Sequence, residues 1–186
     1  TTKSNEIATQ GYIRLSKDPT LAFRLGEAAY NIHPTDLAKQ VIISAYGEMP
    51  FYKTLEGHTK GVGQAKFSHN GKLIVTASSD GTARLWDLQG RMIAELKGHK
   101  GALWYGRFGV INFSPNDKFI VTASTDSTAR LWDIDGTCLI VMQHKGSVNS
   151  AVFSPDGKKI LTASMDSTAK LWDLEGRELI NFKGHL

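Results

Sequence analysis

Short stretches of β-forming residues fill the chain from about residue 60 onward. Segments such as 72–77 and 83–86 are rich in β-branched and large apolar residues at spacings typical of short strands. Pairs of turn-forming residues, among them Asn70-Gly71, Asp80-Gly81 and Gln89-Gly90, separate these stretches. The pattern predicts units of four short antiparallel strands joined by tight turns.

The first fifty residues follow a helical period instead. Apolar positions spaced for one helix face precede Lys17, and Asp18 is placed to cap a second helix that has Pro19 at its first position. That helix is expected to run to about Asn31, and a third from His33 to about Tyr46. The predicted inward-facing residues are Ile7, Ala8, Tyr12, Leu15, Leu21, Leu25, Ala28, Ala29, Leu37, Val41, Ile42 and Ala45.

An internal repeat organises the rest of the chain. The segments 78–90, 124–136 and 164–176 align closely, and each contains Leu-Trp-Asp. A histidine precedes each of them, and the steps from His58 to His99, to His144 and to His185 are 41, 45 and 41 residues. A period of about 40–45 residues is typical of propeller blades with four strands each.

The longer step has a single origin. The distance from Phe67 to Trp86 is 19 residues, and the same distance separates Phe113 from Trp132 and Phe153 from Trp172. The extra residues therefore lie between His99 and Phe113, and we interpret them as an insertion in a loop.

Together, these units resemble the WD-repeat family, in which a Gly-His pair opens a repeat that ends in Trp-Asp. The resemblance implies a mainly β fold of three complete four-stranded antiparallel propeller blades at 62–96, 103–142 and 148–182. An orphan outer strand is expected at 51–55, so residues 51–186 form the blades and residues 1–50 a small α-helical segment. Roughly four to eight blades close a propeller ring, and three cannot.

In that family, a hydrogen-bonded tetrad ties the strands of each blade together. The resemblance assigns a His, a Ser, an Asp and the Trp of each repeat to it: His58, Ser78, Asp80, Trp86; His99, Ser124, Asp126, Trp132; and His144, Ser164, Asp166, Trp172. A buried indole, hydroxyl and imidazole each need a partner, and a carboxylate orients the His. Thr76, Thr122 and Thr162 lie on the same strand face as the serines, and they remain alternative hydroxyl groups.

These sets do not indicate catalysis. A hydrolase needs one exposed nucleophile beside one base, whereas here the set occurs three times in the same context. The histidines lack a second ligand at the short spacing of a zinc site, and the chain has no phosphate-binding glycine loop. We therefore expect no enzyme activity, no catalytic residues, no metal and no cofactor.

Composition narrows the class of partner. Residues 51–186 hold 17 basic and 13 acidic residues, while residues 1–50 hold five of each. No basic cluster with stacking aromatics and no long apolar run is visible, so neither nucleic acid nor membrane is expected as a partner. Cys138 is the only cysteine, and the chain carries no export signal. A reducing, cytoplasmic location is therefore predicted.

The candidate partner-binding residues lie in the loops that the family places on one face. The insertion supplies Trp104, Tyr105, Arg107 and Phe108, which are mostly of types enriched at binding hot spots. An alternative is that Leu103 and Phe108 pack where Val62 and Val148 pack in the other units. Three positions that vary before the tetrad aspartate, Ser79, Thr125 and Met165, are further candidates.

Short helices followed by highly similar blades resemble the C-terminal sensor region of bacterial STAND-type NTPases. This resemblance implies a protein-binding sensor or scaffold within a larger signalling or defence regulator. The helices could equally cover an exposed blade edge. The alternative function is a self-assembling, homo-oligomeric propeller fragment, since either further blades of a longer parent chain or other copies must complete the ring.

Overall fold

The chain folds into two compact units. The computed structural model describes residues 1–48, 54–103 and 110–183. Unit 1 spans Thr1–Thr54 and contains the helices, and unit 2 spans Leu55–Leu186 and contains the strands. Within the described residues, no helix has both the length and the apolar character that crossing a membrane requires.

The helical unit consists of α1 (Thr2–Arg14), α2 (Pro19–Ile32) and α3 (Asp36–Glu48). The predicted cap of α2 is confirmed, because the Asp18 carboxylate accepts a hydrogen bond from the Leu21 amide at 2.9 Å. At the start of α3, the Thr35 hydroxyl accepts a hydrogen bond from the Ala38 amide at 3.2 Å. These side chains satisfy amides that a helix start leaves without partners.

Small side chains mediate the helix–helix contacts. The buried sets are Ser4, Ala8 and Gly11; Ala22, Gly26 and Ala29; and Ala38, Val41 and Ala45. A Cβ on Gly11 would lie 2.9 Å from the Val41 side chain, so α1 and α3 approach closely only because that atom is absent. The predicted inward faces are therefore wrong at Tyr12, which is 61% exposed, and at the exposed Ala28. The helices pack along their smallest residues.

Three four-stranded antiparallel sheets form unit 2, and we call them blades I, II and III. Blade I contains β1 (Val62–Phe67), β2 (Leu73–Ser78), β3 (Thr82–Asp87) and β4 (Met92–Lys97); blade II contains β5 (Ile111–Phe113), β6 (Phe119–Ala123), β7 (Thr128–Asp133) and β8 (Cys138–Gln143); blade III contains β9 (Val148–Phe153), β10 (Lys159–Ser164), β11 (Thr168–Asp173) and β12 (Glu178–Lys183). Neighbouring strands in each sheet follow chain order. The predicted mainly β fold is confirmed.

The conserved register places the repeat tryptophans in equivalent positions. Trp86, Trp132 and Trp172 pair across the sheet with isoleucines of the second strand, and at each Trp the pairing with the outer strand is shifted by a bulge. Their exposed fractions are 2%, 0% and 6%. Identical local sequence therefore produces the same buried site three times.

Blade II is covered on both sides, whereas each end blade has an open apolar face. Val121 in β6 is fully buried, but the equivalent Leu161 in blade III is 39% exposed. On the opposite side, Phe113 is 5% exposed and the equivalent Phe67 in blade I is 66% exposed. We call these the blade III open face and the blade I open face.

The inserted segment shortens the first strand of blade II. Strand β5 begins at Ile111, and the fully buried Leu103 precedes the insertion. The Leu103 amide donates to the Ser78 carbonyl at 3.0 Å, as the Val148 amide does to the Ser124 carbonyl. Leu103 thus packs where Val148 packs. Of the predicted orphan strand, residues 51–53 lie outside the described part of the chain, and 54–55 form no strand.

Candidate functional site

A chain of hydrogen bonds crosses each blade, and blade II shows it most simply. The indole Nε1 of Trp132 donates to the Thr122 hydroxyl at 2.8 Å. The same hydroxyl lies 2.8 Å from Nε2 of His99, and Nδ1 of His99 lies 2.9 Å from the Asp126 carboxylate. The equivalent bonds in the other blades join His58, Thr76, Asp80 and Trp86, and His144, Thr162, Asp166 and Trp172.

The protons in this chain have one consistent arrangement. An ionised carboxylate only accepts, so Nδ1 of His99 carries the proton and donates to Asp126. In the neutral imidazole, Nε2 then accepts a hydrogen bond from the Thr122 hydroxyl, and the oxygen of that hydroxyl accepts a hydrogen bond from the Trp132 indole N–H. Burial lowers the pKa of His99 despite the nearby Asp126, which favours the neutral imidazole that this arrangement needs.

The hydroxyl in each chain belongs to threonine, not to the expected serine. Ser124 lies outside the chain of bonds: its hydroxyl donates a hydrogen bond to the Ala102 carbonyl at 3.1 Å and accepts one from the Asp126 amide at 3.2 Å. The register explains the difference. Trp132 pairs with Ile120, so the indole reaches diagonally to Thr122, while Ser124 lies a further two residues along, beyond the end of β6. Ser78 and Ser164, the last residues of β2 and β10, make the equivalent bonds in the other two blades.

Sequence reasoning missed a second threonine in each set. The Thr128 hydroxyl donates to Oδ1 of Asp126 at 2.6 Å, and its amide donates to the same oxygen at 3.0 Å. Thr82 and Thr168 make the same bonds in the other blades. The signal was available, because an Asp followed by Thr two residues later is typical of a turn in which the carboxylate accepts the backbone amide.

The aspartates are held in their ionised form. Hydrogen bonds from Thr128, Lys100 and His99 outweigh burial and lower the pKa of Asp126 to about 2. Equivalent bonds lower the pKa values of Asp80 and Asp166. A carboxylate that accepts four hydrogen bonds has every strong acceptor direction filled.

This geometry supports a structural role for the tetrads. The His99 side chain is fully buried and the Thr122 hydroxyl is bonded on both sides, so a substrate has no free position beside them. Within residues 1–48, 54–103 and 110–183, no three His, Cys, Asp or Glu side chains are grouped to hold a metal ion. The lack of catalysis, metal and cofactor stays a prediction.

The tetrads also define one end of the blades. Each His segment is bonded to the turn between the second and third strands, so both lie at the same end, which we call the loop face. Ser79, Thr125 and Met165 occupy equivalent turn positions there, with amides bonded to the carbonyls of Gly61, Ala102 and Ser147. Met165 is 59% exposed, and Ser79 and Thr125 are half-buried.

The other candidate partner-binding residues, Trp104, Tyr105, Arg107 and Phe108, lie outside the described residues. The flanking Leu103 and Val110 are buried, with the Ala123 amide bonded to the Val110 carbonyl at 2.8 Å. The structure therefore brings together the three turn positions and shows where the insertion leaves and rejoins blade II.

Comparison with known proteins agrees with this architecture. The family model described as "WD domain, G-beta repeat" matches residues 49–87, 90–133 and 136–173. A protein from Actinoplanes sp. (strain ATCC 31044 / CBS 674.73 / SE50/110), named NAD(+) hydrolase ApTIR, is 32% identical over 71 residues, which are 38% of this chain. The chain spans only about 10% of the length of that curated relative. With well over half of its length matched by the repeat model, the chain belongs to the WD-repeat family, whose repeats indicate a protein-interaction module.

Proposed function

We propose that this chain is a non-catalytic sensor or scaffold that binds a protein partner through the loop face of its blades. The observation that carries the proposal is the contrast between the buried tetrads, which are repeated, and the loop-face turn position, which varies. The tetrads are repeated in all three blades, whereas the adjacent turn position changes from Ser79 to Thr125 to Met165. A repeated frame with variable positions in its turns is how a repeat protein builds a recognition surface.

The proposal places the chain within a larger bacterial signalling or defence regulator. The curated relative, named as an NAD(+) hydrolase, is about ten times longer than the part that this chain spans, which supports a repeat segment belonging to a larger protein. In this proposal the chain acts in the cytoplasm and binds neither nucleic acid nor membrane.

Partner capture with matched variants tests the loop face. Met165→Glu and Thr125→Glu place acidic side chains on the loop face, while the matched changes Gln89→Glu and Thr137→Glu alter turns at the opposite end. The intact chain and each variant are expressed in the source cells and cross-linked there to the proteins that they bind. The captured proteins are then identified and compared by mass spectrometry. We expect a set of proteins that the first pair loses and the second pair retains. Equal recovery with both pairs would refute binding through the loop face.

The non-catalytic part of the proposal has its own assay. The purified chain is incubated with NAD⁺, the substrate class in the relative's name, and release of nicotinamide is followed. We expect no release above the rate without protein, because each tetrad His is committed to structural hydrogen bonds. Turnover that disappears on Asp126→Asn would overturn the assignment.

Self-assembly is the second candidate function, and the open apolar faces favour it. Leu161, Ile180 and Phe182 are 39%, 47% and 48% exposed on the blade III open face, and Val62 and Phe67 are 50% and 66% exposed on blade I. Exposed apolar sheet faces favour association, through other copies or through further blades of a longer parent chain. Sedimentation at micromolar concentration is expected to show oligomers that Phe182→Glu dissociates. A compact monomer would exclude this function for the isolated chain.

A further inference from the structure

Five lysines without ion pairs gather at the loop face. Lys100 and Lys145 directly follow the tetrad histidines of blades II and III, Lys60 lies two residues after His58 in blade I, and all three are exposed. Lys97 and Lys183 end the outer strands β4 and β12 at the same end, paired in register with the first residues of β3 and β11. Among the described residues, none of these five ammonium groups lies within salt-bridge distance of a carboxylate.

The carboxylates of the same end are not available to these lysines. The side chains of Asp80, Asp126 and Asp166 are 7%, 10% and 8% exposed, and each accepts bonds from its own His, Thr and backbone amides. Their charge is therefore held inside the blade, while the lysine charge projects into solvent. Glu56 is the nearby carboxylate that is exposed.

The opposite end of the blades is balanced. Its turns pair Arg91 with Asp87 at 2.7 Å and Arg177 with Asp173 at 2.6 Å. The exposed acids Asp135, Asp156 and Glu175 offset the remaining lysines of this end. The excess of basic over acidic residues in unit 2 is thus displayed mainly at the loop face.

In blade III the lysines of the loop face line a shared cleft. Lys145 and Lys183 line it together with Lys170 and Asn181, and Asp166 lies at its base. Lys170 is already paired with Glu178 at 2.8 Å, which leaves Lys145 and Lys183 free to bind an incoming anion. The cleft gives the charge pattern a concave site at one end of the lysine row.

We propose that the loop face recognises an acidic protein segment, rich in Asp and Glu, which lies across the blades and contacts Lys60, Lys100 and Lys145. Complementary charge steers such a segment to the surface and sets its orientation. Because the matched repeats indicate a protein-interaction module, the acidic partner is taken to be a protein segment. This inference rests on the proposed function and adds the chemistry of its partner.

Fluorescence anisotropy with defined probes tests the inference. The probe is a fluorescein-labelled peptide of alternating Glu and Ser, and the reference peptide has Gln in place of every Glu. The triple variant Lys60→Gln, Lys100→Gln and Lys145→Gln is compared with the intact chain. A matched control, Lys72→Gln, Lys118→Gln and Lys158→Gln, removes the same charge from exposed positions at the opposite end.

We expect the Glu peptide to bind the intact chain, and the loop-face variant to bind it about tenfold more weakly, the effect of losing three exposed charge pairs. The control is expected to bind normally, and affinity to fall as salt rises. Equal affinity for the Glu and Gln peptides, or an equal loss in both variants, would overturn the inference. Tighter lysine-dependent binding of an oligothymidine would overturn it in favour of nucleic acid.

A second readout separates this inference from the proposed function. If the triple Lys→Gln variant still captures the cellular partner that Met165→Glu loses, the loop face binds protein without charge recognition, and only the acidic-partner inference fails. If neither variant changes capture, both fail. Loss of capture by both variants, with unchanged circular dichroism, supports both.

Discussion

Replacing Thr122 by valine tests whether the threonine hydroxyl, and not the neighbouring serine, holds the blade together. The substitution is nearly isosteric and fully buried, so it removes hydrogen bonds without opening a cavity. Two partners lose their bond: Nε1 of Trp132 and Nε2 of His99, each 2.8 Å from the hydroxyl.

The expected loss of unfolding free energy follows from those two groups. Each buried polar group left without a partner costs about 1–3 kcal/mol, so Thr122→Val is expected to lose about 2–5 kcal/mol. Thr122→Ser keeps the hydroxyl and removes one methyl group, for which about 1 kcal/mol is expected. Ser124→Ala removes one bond to the Ala102 carbonyl and one to the Asp126 amide but leaves the tetrad intact, and again about 1 kcal/mol is expected.

Urea unfolding followed by tryptophan fluorescence measures these differences selectively. All four tryptophans lie in unit 2, so the signal reports on the blades and not on the helices. The predicted order of stability is wild type, then Thr122→Ser and Ser124→Ala, and last Thr122→Val. Thr122 does not supply the tetrad hydroxyl if Thr122→Val unfolds at the same urea concentration as Thr122→Ser, or if Ser124→Ala is the least stable variant.

Three further predictions concern the acid response, a strained turn and a contact between blades. The pKa of Asp126 is about 2 in the folded chain, against an ordinary value of 3.8. The contribution of its carboxylate to the free energy of unfolding is therefore present above about pH 4 and is lost as the pH falls towards about 2. Asp126→Asn should flatten this acid limb when stability is measured against pH by fluorescence. Ser127 has a left-handed φ of 67°, a conformation that glycine adopts more easily than serine, and the equivalent residue in blade I is Gly81. Ser127→Gly should therefore raise the free energy of unfolding in urea by about 0.5–1 kcal/mol, and Gly81→Ser should lower it. The Asp117 carboxylate joins blades I and II by accepting hydrogen bonds from the His69 amide at 2.7 Å and from Nδ1 of the His69 ring at 2.9 Å. Asp117→Ala should lower the free energy of unfolding in urea by about 1–2 kcal/mol. His69→Ala removes only the ring bond, so an equal loss of unfolding free energy in both variants would argue against the contact.

The tetrads show how far residue types alone could lead. The resemblance to the WD-repeat family assigned the His, Asp and Trp positions, because those three types recur at equivalent places in each repeat and need mutual partners. The hydroxyl did not follow, since Thr122 and Ser124 alternate onto the same strand face and both can bond an indole. The register of β6 with β7 decides between them by placing Trp132 diagonal to Thr122.

The sequence by itself determined the local units of this protein: the strand–turn repeats, the buried Trp positions, and the capped start of α2 at Asp18. These depend on neighbouring residues, so a linear pattern contains them. Only the tertiary structure decided which apolar residues are covered. Val121 and Leu161 hold the same place in their repeats, yet one is buried and the other is 39% exposed, because burial depends on whether another blade lies against the sheet. The distribution of free lysines between the two ends of the blades is decided in the same way, by contacts between residues distant in the chain.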